Sequence, residues 1–244
     1  IITEHSSAFQ RGLLSSSQNE LAKRVFLHSD ANVAVSESLA NTLTNMFDSS
    51  FSVIPNIVDT DYFIPLQNDR KSTYTFLNVA HLNKNKNQAM LVRAFAEFNK
   101  DYNETRLVIL GGGEEMNNLK HLIKVLNLSE KVTLFGYASR DEVKEFMQLS
   151  DCFVLPSIVE TFGVVLIEAM ACGVPVLASK CGGPESIVTK ETGILFENNE
   201  EELLSAMRHL YKSNYSSEKI RKHTIETYSE FAVAKQIVKI LQSV

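Results

Sequence analysis

The sequence predicts an α/β fold, a parallel sheet with helices on both of its faces. Two observations carry that expectation. From residue 75 onward, short apolar runs of the kind that make buried strands alternate strictly with stretches of helical length, and such alternation builds a parallel sheet through crossover helices. Residues suited to chemistry, among them glycines at 111–113, 136 and 182–183 and a glutamate at 160, directly follow those runs. Open parallel sheets hold their ligands there, outside the carboxyl ends of the strands.

The elements follow in order. The chain opens on IIT, which reads as the end of a strand and suggests a fragment. A polar helix is expected over 17–29, a short strand over 31–36 (ANVAVS) and a second helix over 37–46. Pro55 and Pro65 punctuate a crossing segment over 53–71. Strands at 75–82, 105–111, 131–135, 151–155 and 174–178 then alternate with helices at 87–100, 114–126, 140–149 and 163–172, the last stopped by Gly173 and Pro175. A short helix near 184–188 starts on Pro184, whose fixed φ suits a first helical position. A strand at 193–196 and helices at 199–212, 216–225 and 229–243 complete the chain.

Composition narrows the function classes. A hydrophobic content of 44% with 22% charged residues is that of an ordinary globular protein. The net charge of −5, without a basic run interleaved with aromatics, argues against a nucleic-acid partner. No apolar run approaches the length of a bilayer-spanning helix. Cys152, Cys172 and Cys181 lack metal-ligand spacing and read as buried free thiols of a reducing, cytoplasmic compartment.

The segment over 157–184, SIVETFGVVLIEAMACGVPVLASKCGGP, is the most informative. Glu160 falls in a strand-to-helix loop, and Glu168 about two turns into the helix, with Thr161, Phe162 and Gly163 turning the backbone between them. Eight helical steps of about 1.5 Å span at most about 12 Å, the reach needed to hold both ends of a nucleotide-sugar. The helix start at Gly163, Val164 and Val165 presents free amides and a positive dipole end, which suits a diphosphate. Glu168 is the only charge on a strongly apolar helix, which sets it apart from an ordinary solvated carboxylate.

The pair resembles the E-x7-E motif of retaining glycosyltransferases of the GT-B fold, in the large family 4. The runs VIPNIVD at 53–59, FLNVAHL at 76–82, LVILGGG at 107–113 and VTLFG at 132–136 are similar to that family in register across essentially the whole chain. The resemblance implies a Rossmann-like doubly wound parallel sheet with a partial N-terminal Rossmann domain. Residues 1–66 would be the tail of the acceptor-side domain and the crossing. Residues 67–244 would be the nucleotide-sugar-binding domain, with the last helix packing back on the N-terminal part. A complete enzyme would then need about 100–200 further residues ahead of this chain. The implied activity is transfer of a sugar from a nucleotide-diphosphate-sugar to a hydroxyl of a sugar or lipid-linked acceptor, with retention of configuration, as in polysaccharide biosynthesis. No cofactor is implied, and without a D-x-D cluster no metal. Membrane contact would be peripheral, through the upstream domain at the inner face. A nucleotide-sugar binding fragment without turnover, and an epimerase or phosphorylase of the same fold, are the alternatives.

Carried over residue by residue, the resemblance makes Glu160 and His5 the catalytic candidates facing the donor sugar. Glu168 would accept from the ribose hydroxyls, since a carboxylate takes two vicinal donors at once. Lys86, ahead of Lys84, would contact the diphosphate, and the amides of Thr161, Phe162, Gly163, Val164 and Val165 would line the sugar and phosphate. Gly112 would approach the nucleotide, although a tight turn explains the 111–113 glycines equally, and Tyr137 would border the base. His81 departs from the pattern. It stands where the family has an arginine, and a histidine lacks the guanidinium fork and permanent charge.

Overall fold

The computed structural model describes residues 1–66 and 73–242. Among them, β4 (Tyr74–Val79), β5 (Thr105–Leu110), β6 (Val132–Gly136), β7 (Cys152–Leu155), β8 (Val176–Ser179) and β9 (Gly193–Phe196) form one sheet in the order β6-β5-β4-β7-β8-β9. Every neighbouring pair is parallel, with Leu107 opposite Val132, Phe76 opposite Leu107 and Cys152, Phe153 opposite Val176, and Val176 opposite Gly193. Successive strands add outward from β4 to β6, and the chain then returns to β4's other edge with β7. The order reverses there, and crevices of this kind are where doubly wound sheets bind ligands.

Both faces are covered because the strands alternate their side chains between two cores. Phe76, Leu107, Ile109 and Val154 pack with α3 (Gln88–Asp101), α4 (Met116–Val125) and α7 (Glu200–Lys212). Leu77, Val108, Phe153 and Leu155 pack with α5 (Arg140–Gln148), α6 (Val164–Ala171) and α8 (Ser217–Tyr228). α6 buries Leu166, Ile167, Ala169, Met170 and Ala171, as a helix apolar nearly all round must. Asn78 is polar and fully buried, and it ties β4 to β7 by donating from Nδ2 to Val154 O at 2.8 Å.

A second parallel sheet, in the order β1-β2-β3, joins β1 (Ile2–Glu4), β2 (Asn32–Ala34) and β3 (Ser52–Val53). α1 (Ser16–Leu27) starts in a capping box between Ser15 and Gln18, and α2 (Glu37–Phe47) starts on the Ser36 hydroxyl. β3 was not expected as a strand, because two residues carry no readable period. α8 continues to Tyr228, beyond the expected stop at 225, and only Ser229 separates it from α9 (Glu230–Leu241). Ser229 is extended, and its hydroxyl caps Ala232 N at 3.2 Å. Val233 and Ile240 of α9 cluster with Val33 and Ile54 of the small-sheet region. Arg221 of α8 donates to Phe63 O, Ala171 O and Thr60 O at 2.7–2.9 Å, holding the crossing chain against α6. The expected boundary at 66/67, the crossing residues 67–71 and the helix end at 243 lie outside the described residues in whole or part.

Candidate functional site at the reversal of strand order

The loops after β4, β7 and β8 meet at the carboxyl end of the large sheet. After β4, a 3₁₀ turn, Lys84–Lys86, is capped by Asn83, whose Oδ1 accepts from Lys86 N at 3.1 Å. After β7, the loop 157–163 carries Glu160. The Lys86 ammonium and the Glu160 carboxylate pair at 2.5 Å, with side chains 23% and 15% exposed. Partial burial weakens the competition from water, so this pair is stronger than its surface counterparts. Ser157 Oγ lies 3.4 Å from the same carboxylate oxygen.

The third loop fixes the second. Glu160 bridges Gly182 in parallel register, Glu160 N donates to Cys181 O at 3.2 Å, and Gly183 N donates to Glu160 O at 2.6 Å. A Cβ at Gly183 would sit 2.3 Å from Phe162 N and Cα, so the two backbones touch and only glycine fits. Glu185 folds back to accept from Gly182 N at 2.9 and 3.1 Å. The 182–185 stretch, which its glycines and proline make look like a free loop, is therefore tied at both ends. Phe162 is buried edge-on to Tyr228, so its side chain anchors the loop. Ser36 completes the tether from the small sheet, its buried hydroxyl donating to Thr161 O at 2.6 Å.

Gly163, at φ 101°, takes the left-handed conformation that starts α6. The amides of Val164 and Val165 that follow have no carbonyl a turn earlier to bond, as at any helix start. Glu168 is half-buried further along α6, and its carboxylate makes no hydrogen bond or ion pair with the described residues. Burial pushes its carboxyl pKa up, and the Arg140 guanidinium only partly opposes this. Arg140 also pairs with Asp59 at 3.4 Å and lies 4.2 Å from the Tyr62 ring centroid. Sequence reasoning passed over Arg140, Ser36 and Asn85, since nothing local marks them.

The structure thus brings Lys86, Glu160, Thr161, Phe162 and Gly163 together, with Val164, Val165 and Glu168 continuing along α6. Gly112 and Tyr137 form a second group, the Tyr137 ring lying so close over Gly112 that a Cβ would stand 2.3 Å from it. Tyr137 is 79% exposed, an open aromatic face. His81 is exposed, and its carbonyl accepts from Gln88 Nε2 at 3.3 Å. His5 sits apart in its contacts. Its N–H donates to Glu4 Oε1 at 2.9 Å, and it lines an apolar cavity of about 390 Å³ with Val33, Ile54, Ile237 and Ile240. A larger depression, about 850 Å³, runs along α2 and reaches the loops only at Phe162, Gly182, Glu185 and Ser186. Among the described residues, no helix is long and apolar enough to cross a membrane, and no three His, Cys, Asp or Glu side chains are grouped to hold a metal ion.

The profile of the family described as glycosyl transferases group 1 matches residues 63–227. N-acetyl-alpha-D-glucosaminyl L-malate synthase of Bacillus anthracis is 32% identical over 192 residues, 74% of this chain and 50% of that protein. A GDP-mannose-dependent alpha-(1-6)-phosphatidylinositol monomannoside mannosyltransferase of Mycolicibacterium smegmatis is 28% identical over 197 residues, 73% of this chain and 52% of that protein. The chain spans about half the length of these curated relatives. Among solved structures, sucrose-phosphate synthase from Thermosynechococcus elongatus superposes with a TM-score of 0.85 at 22% identity, over 99% of this chain and 67% of that one. Anabaena HepE in complex with UDP gives 0.88 at 19% identity, over 100% and 72%. These likenesses establish a shared Rossmann-like α/β fold.

Proposed function

Since this chain belongs to the glycosyl transferases group 1 family, we propose that it carries the donor site of an enzyme that moves a sugar from a nucleotide-diphosphate-sugar to an acceptor hydroxyl, with retention of configuration. One observation carries the reading. Glu168, a half-buried carboxylate with no hydrogen-bond or ion-pair partner among the described residues, stands beyond a helix start whose free amides follow directly from the paired Lys86–Glu160 loop. Desolvating a carboxylate without a partner is costly, and such a group is kept where a ligand supplies the missing donors.

In this proposal the ribose hydroxyls donate to Glu168, the diphosphate lies against the α6 amides and the Lys86 ammonium, and Glu160 holds the sugar. Charge develops on the departing diphosphate as the glycosidic bond breaks, and Lys86 with the helix dipole stabilises it in place. Lys86 must leave Glu160, or be shared with it, when the donor binds. Gly112 and the open ring of Tyr137 border the base, and His81 takes the arginine's position beside the diphosphate. His5, directly after β1, is the second catalytic candidate of this proposal, although its own contacts lie in the separate apolar cavity. The acceptor is a sugar or lipid-linked hydroxyl. Three free cysteines, two of them buried, support a reducing, cytoplasmic setting. In support of a nucleotide donor, structural neighbours of this fold hold UDP or UDP-glucose.

A thermal-shift panel of UDP, GDP and ADP with UDP-glucose and GDP-mannose tests the donor site. A ligand at about 100 times its Kd stabilises by about 2.7 kcal/mol, an easily read shift. No shift with any of them would refute the reading.

A further inference from the structure

The Lys86–Glu160 pair is set by a residue to which the donor chemistry assigns nothing. Asn85 lies between Lys84 and Lys86 in the 3₁₀ turn, in a run of alternating asparagine and lysine that reads from sequence as a solvated loop. Its carboxamide instead grips one residue of the facing loop on both sides. Nδ2 donates to Val159 O at 3.0 Å, and Val159 N donates to Oδ1 at 3.2 Å. The Asn85 main-chain carbonyl adds a third bond, accepting from Ile158 N at 2.7 Å. These bonds close directly before Glu160 on one strand end and directly before Lys86 on the other, across 74 residues of chain.

The rest of the loop is braced from behind. Ser157 O accepts from Asn198 Nδ2 at 2.7 Å and from Ser179 Oγ at 2.5 Å. Those bonds hold the loop's base, but none fixes its register against the lysine turn. A carboxamide does so because it presents a donor and an acceptor at the spacing of a peptide group. Neither a serine nor an alanine spans both.

We propose that Asn85 is a positioning residue of the donor site, registering the Glu160 carboxylate against the Lys86 ammonium so that sugar and diphosphate contacts are offered together; this rests on the donor reading above. The test has one readout that needs no donor. An ammonium held in an ion pair exchanges its protons slowly enough to give a ¹H–¹⁵N signal at low temperature. The wild type is expected to show one for Lys86, identified by its absence in Lys86→Arg. Asn85→Ala and Asn85→Ser should lose it while circular dichroism stays native. Asn87→Gly removes a neighbouring carboxamide that donates to Asn198 Oδ1 at 3.3 Å rather than to the Glu160 loop itself, at a left-handed position that glycine tolerates, and should keep the signal.

The second readout is the ratio of affinity for UDP-glucose or GDP-mannose to that for UDP or GDP. It should fall about tenfold in the Asn85 variants, the worth of one charged hydrogen bond, and stay unchanged in Asn87→Gly. If Asn85→Ala does not fold, Asn85→Ser carries the same expectation. A retained Lys86 signal or an unchanged ratio in the folded Asn85 variants overturns the proposal. Absence of nucleotide binding by the wild type overturns the donor reading and Asn85's place in it, and in that case the ammonium signal by itself decides whether Asn85 sets the pair.

Discussion

Replacing Glu168 by glutamine should move stability and nucleotide affinity in opposite directions. Among the described residues this half-buried carboxylate has no hydrogen-bond or ion-pair partner, and burial raises its pKa above the ordinary 4.5 despite Arg140. A raised folded pKa means that the folded state binds the proton more readily than the unfolded chain. The group's stabilising contribution is therefore complete below the unfolded pKa and is lost as pH rises through the folded one. At neutral pH the ionised Glu168 opposes folding, so Glu168→Gln should unfold at a higher temperature than the wild type near pH 7.5. The difference should shrink on acidification and vanish below about pH 4.5.

Nucleotide binding should show the reverse. The glutamine keeps one acceptor oxygen but loses the charge, and a hydrogen bond to a charged group contributes about 1.5–3 kcal/mol, or about ten- to a hundredfold in affinity. Wild-type affinity should also drop as pH falls through the raised pKa, while the variant stays flat across that window. Scanning fluorimetry over a pH series reads the first effect, and calorimetric titration with UDP and GDP the second. Equal affinities would show that the carboxylate is not a ligand group, and a variant less stable than the wild type at pH 7.5 would show that its burial carries no cost.

Glu160→Ala should spare UDP and GDP affinity while weakening the intact nucleotide-sugars, and parallel loss of both in titration would mean that the two acids have the wrong roles. His81→Arg should keep or strengthen diphosphate binding by restoring a bidentate cation, and loss of binding by a folded variant would show a specific role for the imidazole. Gly183→Ala forces a Cβ to within 2.3 Å of the Phe162 backbone, so it should lower the melting temperature and nucleotide-sugar affinity together; native values for both would mean that the 161–162 backbone yields freely. Burial pushes the Cys172 and Cys181 thiols up to about 12 and about 11 and raises Cys152 well above its ordinary value, so iodoacetamide at pH 8 should label the native protein far more slowly than the denatured one. Rapid labelling of the native protein would contradict that burial.

The sequence by itself determined the elements and which polar and glycine residues follow them. Runs such as CFVL at 152–155 and VLAS at 176–179 must be buried on both faces, and the alternation with helices makes them parallel. Most expected elements match the observed ones to within a few residues. Glu168 stood out because a lone charge on VVLIEAMA contradicts the helix around it, and Gly163 as part of the turn into that helix, where the structure finds it left-handed. The two-residue β3 and the run of α8 past 225 were not legible, being settled by pairing and by the Ser229 cap rather than by local pattern.

What only the tertiary structure decided is which ends meet. The reversal of strand order between β4 and β7 puts Lys86 beside Glu160 and Asn85 against Val159, and the packing of the small sheet on the large one puts Ser36 against Thr161, 125 residues away in sequence. A carboxamide in the NKNKN run at 83–87 carries no mark of the peptide it will grip, because hydrogen bonds reach about 3 Å while sequence pattern reports only burial and period along one element. The contacts that set the site's register are polar, long-range and few, and they exist only once the apolar pattern has brought the strands into order.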